Sequence, residues 1–96
     1  MAVVAVFQSP TLTQAKYEET VRRLTGRARM EKPADWPVTG LLAHVAGQGP
    51  NGFRVVDVWQ SEEAFHRFGE KLTPIMKAVG VEVQPEIYPA HTLVSA

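Results

Sequence analysis

The sequence predicts a single α+β domain in which strands and helices follow the order β-α-β-β-α-β. Three observations predict it. Two segments carry apolar residues at the three- and four-residue spacing of a helix, four short segments are rich in apolar and β-branched residues, and a glycine-rich run links the middle two of those four. The 96 residues form one domain covering 1–96, because chains divide into domains only well above this length.

The first strand is predicted over residues 2–7, an apolar run that stops at Gln8-Ser9-Pro10. A helix follows over 15–24. Thr11 and Gln14 have the spacing of a capping box at its start, and Gly26 is its expected C-cap. Its apolar face comprises Leu12, Tyr17, Val21 and Leu24.

Residues 27–37 lack a regular period and contain two prolines, which predicts a connecting loop. Strands are predicted over 40–46 and 53–60. The turn-forming run 47–52 between them predicts a β-hairpin. It does not predict a phosphate-binding loop, because it precedes a strand and not a helix.

The second helix is predicted to begin after Ser61, an N-cap residue, and to end at Gly80. We expect Pro74 to kink it, or to break it so that Thr73 caps a second short helix. Its apolar positions are Phe65, Phe68, Leu72, Ile75, Met76 and Val79. Two prolines in the final extended segment, 81–94, confine that segment to a sheet edge or divide it into two short strands.

This order of elements predicts a ferredoxin-like fold, with one four-stranded antiparallel sheet and both helices on one of its faces. The opposite face is then bare and apolar. A second copy of the chain is the simplest cover for it, so the sequence predicts a homodimer.

Composition narrows the possible partners and sites. Ten basic residues balance ten acidic ones, which argues against nucleic acid as a partner. The absence of cysteine excludes disulfides and thiolate chemistry and fits a cytoplasmic protein. No segment is long enough to span a membrane, and the apolar start lacks the features of a signal peptide. The three histidines are too scattered to predict a metal site, and we expect no cofactor.

The stretch from Phe53 to Phe65, FRVVDVWQSEEAF, with Phe68 after it, resembles a passage of dimeric α/β-barrel proteins of the antibiotic-biosynthesis-monooxygenase type. In that family the third strand commonly ends in Trp and an acidic helix start follows. The segment from Ile87 to Val94 is similar to the closing strand of the same proteins. The resemblance implies that ferredoxin-like subunits pair into a barrel and that a ligand cavity lies between the sheet and the elements that close it. The superfamily includes cofactor-independent oxygenases, haem-degrading enzymes and polyketide cyclases.

Strand alternation places His44 with Leu42 on one side of the second strand, and Asp57 with Val55 and Trp59 on one side of the third. We expect the purely apolar positions to face the helices, so that His44, Asp57 and Trp59 share the other face. A carboxylate beside a histidine orients the imidazole and makes it a general base. Alternatively, Asp57 satisfies a buried polar group, or faces Arg54 or solvent, and a one-residue slip of register would separate the pair.

Five residues are candidate ligand contacts: Trp59, Trp36, His91, Leu42 and Val55. Trp59 is either packing in the dimer core or the wall of an aromatic site, and Trp36 is either a lid over the edge of the core or a ligand contact. His91 faces either the cavity or the partner subunit. The helix residue His66 lies where haem-degrading relatives place an iron ligand, but strand one lacks the Asn that accompanies it there, so an exposed histidine is the better interpretation.

The leading hypothesis is a small enzyme, a cofactor-independent oxygenase acting on an aromatic or polyketide-like molecule. His44 removes a proton from the substrate, Asp57 orients the His44 imidazole, and Trp59 stacks on the substrate ring. The same residues are equally consistent with a polyketide cyclase of the same fold. The rival hypothesis is a non-catalytic dimeric module that binds an apolar small molecule or supports another protein.

Overall fold

The computed structural model describes residues 1–27 and 29–94. Its elements are β1 (Val3–Phe7), α1 (Gln14–Thr25), β2 (Leu41–Gly49), β3 (Gly52–Trp59), α2 (Glu62–Val79) and β4 (Glu86–Pro89). A 3-10 turn over Pro33–Asp35 lies in the connection between α1 and β2. The predicted order of strands and helices is confirmed.

The four strands form one antiparallel sheet in the order β2-β3-β1-β4. The face that packs against the helices is called the inner face here; it carries Val3, Ala5, Phe7, Leu41, His44, Ala46, Phe53, Val55, Asp57 and Trp59. The opposite, outer face carries Val4, Val6, Ala43, Val45, Arg54, Val56, Val58, Glu86 and Tyr88. The ferredoxin-like arrangement is therefore confirmed.

Helix α1 begins one residue earlier than predicted, and its cap is Thr13, whose hydroxyl accepts a hydrogen bond from the backbone N–H of Lys16 at 3.2 Å. The predicted capping box at Thr11 is wrong. The Thr11 hydroxyl instead donates to the carbonyl of Glu82 at 3.0 Å and accepts from its N–H at 2.7 Å. This pair of bonds joins the loop after β1 to the segment that precedes β4.

Ser61 caps the start of α2 by accepting from the N–H of Ala64 at 3.1 Å, and Gly80 ends the helix in the left-handed region with φ of 88°. Both residues were predicted in these roles. The helix is continuous across Pro74, so the predicted break with Thr73 as a second cap does not occur. Pro74 and Glu70 are exposed, and water can therefore satisfy the carbonyl that the proline leaves unbonded.

The final segment forms one edge strand, β4, and not two. Residues 81–85 are not in a strand, although Val81 is buried in the core. Neither helix in the described residues is long and apolar enough to cross a membrane.

Candidate active site

The hairpin of β2 and β3 places His44 directly opposite Asp57. Gly49 pairs with Gly52, so the loop between the strands is the two residues Pro50 and Asn51. From that turn the register runs without interruption to the His44–Asp57 pair. Residues directly opposite on antiparallel strands point to the same side of the sheet, so the two side chains meet.

The face on which they meet differs from the predicted one. His44, Asp57 and Trp59 do share a side, but it is the inner face. Ala43 and Val45, which were expected to face the helices, lie on the outer face. A bulge at Leu42 also changes which residues of β2 share a side. Leu41 pairs with Trp59 while Ala43 pairs with Val58, so Leu42 is the extra residue and falls out of the set with His44.

Nδ1 of His44 lies 2.5 Å from Oδ1 of Asp57. The side chains are 8% and 2% exposed, so the pair is shielded from water on almost all sides. A carboxylate at this position accepts the Nδ1–H of the imidazole and holds the ring in one orientation and one tautomer. Nε2 of the ring is then the basic nitrogen.

Tyr17 completes the cluster from α1, because its hydroxyl lies 2.6 Å from Nε2 of His44. The two rings are nearly parallel, at 15°, with centroids 5.8 Å apart. Burial, followed by the charges of Asp57 and Glu18, raises the pKa of Tyr17 to about 12. The phenol is therefore protonated near neutral pH and donates to Nε2. Sequence reasoning treated Tyr17 only as a core position; its one signal was an aromatic hydroxyl on the apolar face of the helix.

Two spaces adjoin this cluster. An inner cavity of about 40 Å³ lies between the helices and the inner face; among its walls are Phe7, Val55, Trp36, Phe68 and Leu72. The second space, an open groove of about 560 Å³, lies on the helix side of the sheet and is called the outer groove because it is open to solvent. It runs between α1, the loop at Arg29 and Met30, and the hairpin residues Ala46 to Gln48 and Phe53. Tyr17, Val21 and His44 border both spaces.

The loop before β2 brings Trp36 over the inner cavity. Its ring centroid is 5.2 Å from that of His44 and 5.4 Å from that of Phe68. Asp35 fixes the loop by accepting from the N–H groups of Glu31 and Lys32 at 3.1 and 3.2 Å. The prediction that Trp36 packs over the core edge is confirmed, and the same side chain is also part of the cavity wall.

The other predicted ligand contacts are divided. Val55 lines the inner cavity, whereas Trp59 is fully buried behind it and stacks on Phe68 with centroids 4.9 Å apart. Leu42 and His91 are exposed and border neither of the two spaces. Within residues 1–27 and 29–94, the indole N–H groups of Trp36 and Trp59 are buried without a hydrogen-bond partner.

His66 lies on the exposed side of α2, with its Nε2 3.3 Å from Oε1 of Glu62. This agrees with its interpretation as an exposed histidine. Among the described residues, no group of three or more His, Cys, Asp or Glu side chains is arranged to hold a metal ion. The site itself brings together the Tyr17–His44–Asp57 cluster and the aromatic walls around it.

No family model and no curated protein matches the sequence. Solved structures do match the fold. A conserved protein from Methanosarcina mazei Go1 is 13% identical, with a TM-score of 0.58 over 93% of this chain and 92% of that one. SnoaB, a cofactor-independent oxygenase from Streptomyces nogalater, is 15% identical, with a TM-score of 0.57 over 99% and 96%. A monooxygenase from the gene ActVA-Orf6 of Streptomyces coelicolor, solved with nanaomycin D, is 18% identical, with a TM-score of 0.53 over 99% and 90%.

Proposed function

We propose that this chain, which has the fold of antibiotic-biosynthesis-monooxygenase-type oxygenases, is a small oxygenase that uses neither metal nor flavin. Its substrate is an aromatic or polyketide-like molecule with an acidic phenol or enol. One observation carries the proposal: a His–Asp pair at 2.5 Å, almost fully buried, at the junction of an aromatic-walled cavity and an open groove.

His44 is the proposed base. Asp57 accepts the Nδ1–H, so Nε2 carries the lone pair, which can take a substrate proton once the Tyr17 hydroxyl has left it. The imidazolium that forms stays next to a carboxylate. The same arrangement orients catalytic histidines on unrelated folds. Trp36 packs against His44 on the side of the inner cavity, so the open groove is the route by which a flat apolar substrate reaches the imidazole.

The oxidation balances with dioxygen as the only oxidant. Loss of a proton to His44 gives a delocalised carbanion, and a ring CH2 carbon then forms a bond to O2. The imidazolium protonates the resulting peroxide to a hydroperoxide. His44, neutral again, takes the remaining C–H proton as the O–O bond breaks, and the departing hydroxide takes that proton from the imidazolium and leaves as water. The products are a ketone in place of the CH2 group and one water molecule, so the carbon is oxidised by four electrons.

The test is dioxygen consumption with a panel of hydroxylated anthrones and naphthols. We expect at least one to be oxidised, and we expect His44→Asn to lower the rate by about 10²- to 10⁴-fold, the usual contribution of a general base. His66→Asn is the matched control, because that histidine is exposed on α2, pairs with Glu62 and borders neither the inner cavity nor the outer groove, so the rate should be unchanged. Full activity of His44→Asn would exclude the proposed base.

A second candidate is the non-catalytic binding module. The small volume of the inner cavity and the occupation of both His44 nitrogens favour it. The same panel separates the module from the oxygenase: saturable binding of several phenols without dioxygen uptake in any of them would favour the module. Conversion of an open-chain polyketone to a cyclised product without dioxygen uptake would indicate the cyclase.

The proposal includes a homodimer in which a second copy covers the outer face. That face carries rows of valine with Arg54 and Glu86 at separate positions, so a self-complementary interface can combine apolar packing with opposite charges. Val45 is 65% exposed in the single chain. Val45→Lys should therefore spare the fold and give a monomer in sedimentation, whereas the exposed helix substitution Ala78→Lys should leave the dimer intact. A wild-type protein that sediments as a 10.6 kDa species would contradict the homodimer.

A further inference from the structure

Both ring nitrogens of His44 are occupied. Asp57 is at Nδ1 and the Tyr17 hydroxyl is at Nε2, at 2.5 and 2.6 Å. Because the Tyr17 phenol retains its proton near neutral pH, it is the donor and Nε2 is the acceptor. The lone pair that a base needs is therefore engaged by a side chain of the protein itself.

We propose that the Tyr17 hydroxyl occupies the position of a ligand's hydroxyl: a phenol or enol binds by displacing Tyr17 from Nε2 of His44, and its ring lies in the outer groove. The inference rests on the proposed function for its substrate class, and it adds where the hydroxyl binds and which residue must move. Tyr17 is a positioning residue in this account and not the base.

Available space favours the outer groove. Even a benzene-sized ligand fills a cavity of about 150 Å³, well above the 40 Å³ of the inner cavity. The outer groove has about 560 Å³ and is bordered by both His44 and Tyr17. Phe53, Met30 and Ala46 offer it apolar contacts, and Gln14, Gln48 and Arg29 can bind polar substituents. Movement of Tyr17 would also join the groove to the inner cavity, because its side chain borders both.

The exchange conserves hydrogen bonds. Leaving His44 costs Tyr17 one bond, but the incoming phenol makes a bond of the same kind to the same nitrogen. Tyr17 is only partly buried, on the first half of α1, and the other rings it contacts are Phe53 and His44, at centroid distances of 5.2 and 5.8 Å. Its hydroxyl can then bind water at the helix surface.

The geometry also sets a selection rule. Nε2 is an acceptor, so the ligand must carry an O–H donor; an ether or ketone of the same shape cannot replace Tyr17. 1-Naphthol and 1-methoxynaphthalene differ in this respect and have similar rings. They are the matched probes for the experiment.

Calorimetry with these two probes on wild-type protein, Tyr17→Phe and Tyr88→Phe tests the inference. Tyr17→Phe frees Nε2 without changing the ring, so we expect 1-naphthol to bind about three- to tenfold tighter than to wild type, the free-energy equivalent of one hydrogen bond. The affinity for 1-methoxynaphthalene should not change. Tyr88→Phe removes a phenol from the outer face and should change neither affinity.

An unchanged or weaker affinity of Tyr17→Phe for 1-naphthol would overturn the inference, including the case in which Tyr17 relays the substrate proton. If Tyr17→Phe does not fold, ¹⁵N NMR of His44 in wild-type protein decides: saturating 1-naphthol should leave Nε2 hydrogen-bonded while the Tyr17 hydroxyl proton loses its contact with it. Retention of that contact would also overturn the inference. These readouts need no turnover, so tight binding without dioxygen uptake would refute the proposed oxygenase and leave this inference standing.

Discussion

The inner and outer faces of the sheet are built from the same alternation of residues along the same strands, but they differ in chemistry. The centre of the inner face is buried, and it includes the polar side chains of His44 and Asp57, which bond to each other. The outer face is mostly valine, and its edge positions are open, with Val45 and Tyr88 65% and 44% exposed. Hydrophobicity alone therefore identifies the wrong face as the core: here the polar pair is sequestered and the apolar surface is left for association.

The largest expected difference between the faces is at Trp59, which is fully buried on the inner face against Phe68. Trp59→Ala should lower the free energy of unfolding by about 3–5 kcal/mol, because it leaves a cavity that the core cannot close. Val45→Ala on the outer face should lower the free energy of unfolding of the monomer by less than about 0.5 kcal/mol. Urea unfolding below the dimer concentration range measures both, and equal losses would erase the contrast between the faces.

Asp57→Asn addresses the polar pair. The amide keeps the shape but loses the charge, and His44 loses its charge-assisted partner, so we expect a loss of about 1–3 kcal/mol in the free energy of unfolding. The ¹⁵N shifts of the His44 ring, which report the nitrogen that carries the proton, should show a changed tautomer balance. Asn51→Ala, in the hairpin loop, is a control for the strand pair. An unaltered His44 spectrum would mean that Asp57 does not orient the ring.

Tyr17 adds a pH dependence on the alkaline side. Its pKa is raised from 10.0 to about 12, first by burial and then by Asp57 and Glu18. The unfolded chain therefore gives up the phenolic proton at a lower pH than the folded chain. The stabilisation is complete below pH 10 and is lost as the pH rises towards 12. Wild type should lose stability over this window more steeply than Tyr17→Phe; parallel curves would contradict the partly buried, neutral phenol.

The smallest expected effect is a loss of stability of the Trp36 loop at acid pH. Hydrogen bonds from the N–H groups of Glu31 and then Lys32, together with the charge of Arg27, lower the pKa of Asp35. Its contribution is therefore present above the pKa of an unfolded aspartate and is lost as the pH falls through the lowered value. The protection factors of the Glu31 and Lys32 amides against hydrogen exchange should fall there in wild type but not in Asp35→Asn. Protection factors that do not change with pH in either protein would remove Asp35 as the anchor of the lid.

The element order, Ser61, Gly26 and Gly80 were predictable because caps and apolar spacing are local signals. The cap at Thr13 was missed because Thr11 has the same chemistry two residues earlier, and only the distant partner Glu82 distinguishes them. The pairing of His44 with Asp57 was expected as one of several alternatives, since the turn-forming run 47–52 predicts a hairpin without fixing its register. Burial of the polar side could not be predicted, because alternation gives two faces without saying which one meets the helices. Tyr17 was missed for a related reason: its contact joins α1 to β2 over 27 residues.

The two-residue hairpin loop, Pro50 and Asn51, has a consequence for how this chain tolerates change. Exposed loop tips usually accept insertions and deletions with little penalty. Here one added residue that shifts the pairing by one would turn His44 and Asp57 to opposite faces of the sheet, although the loop borders neither the inner cavity nor the outer groove. Length variation in functional variants should therefore concentrate between α1 and β2 and after β4, while the length of this loop stays fixed.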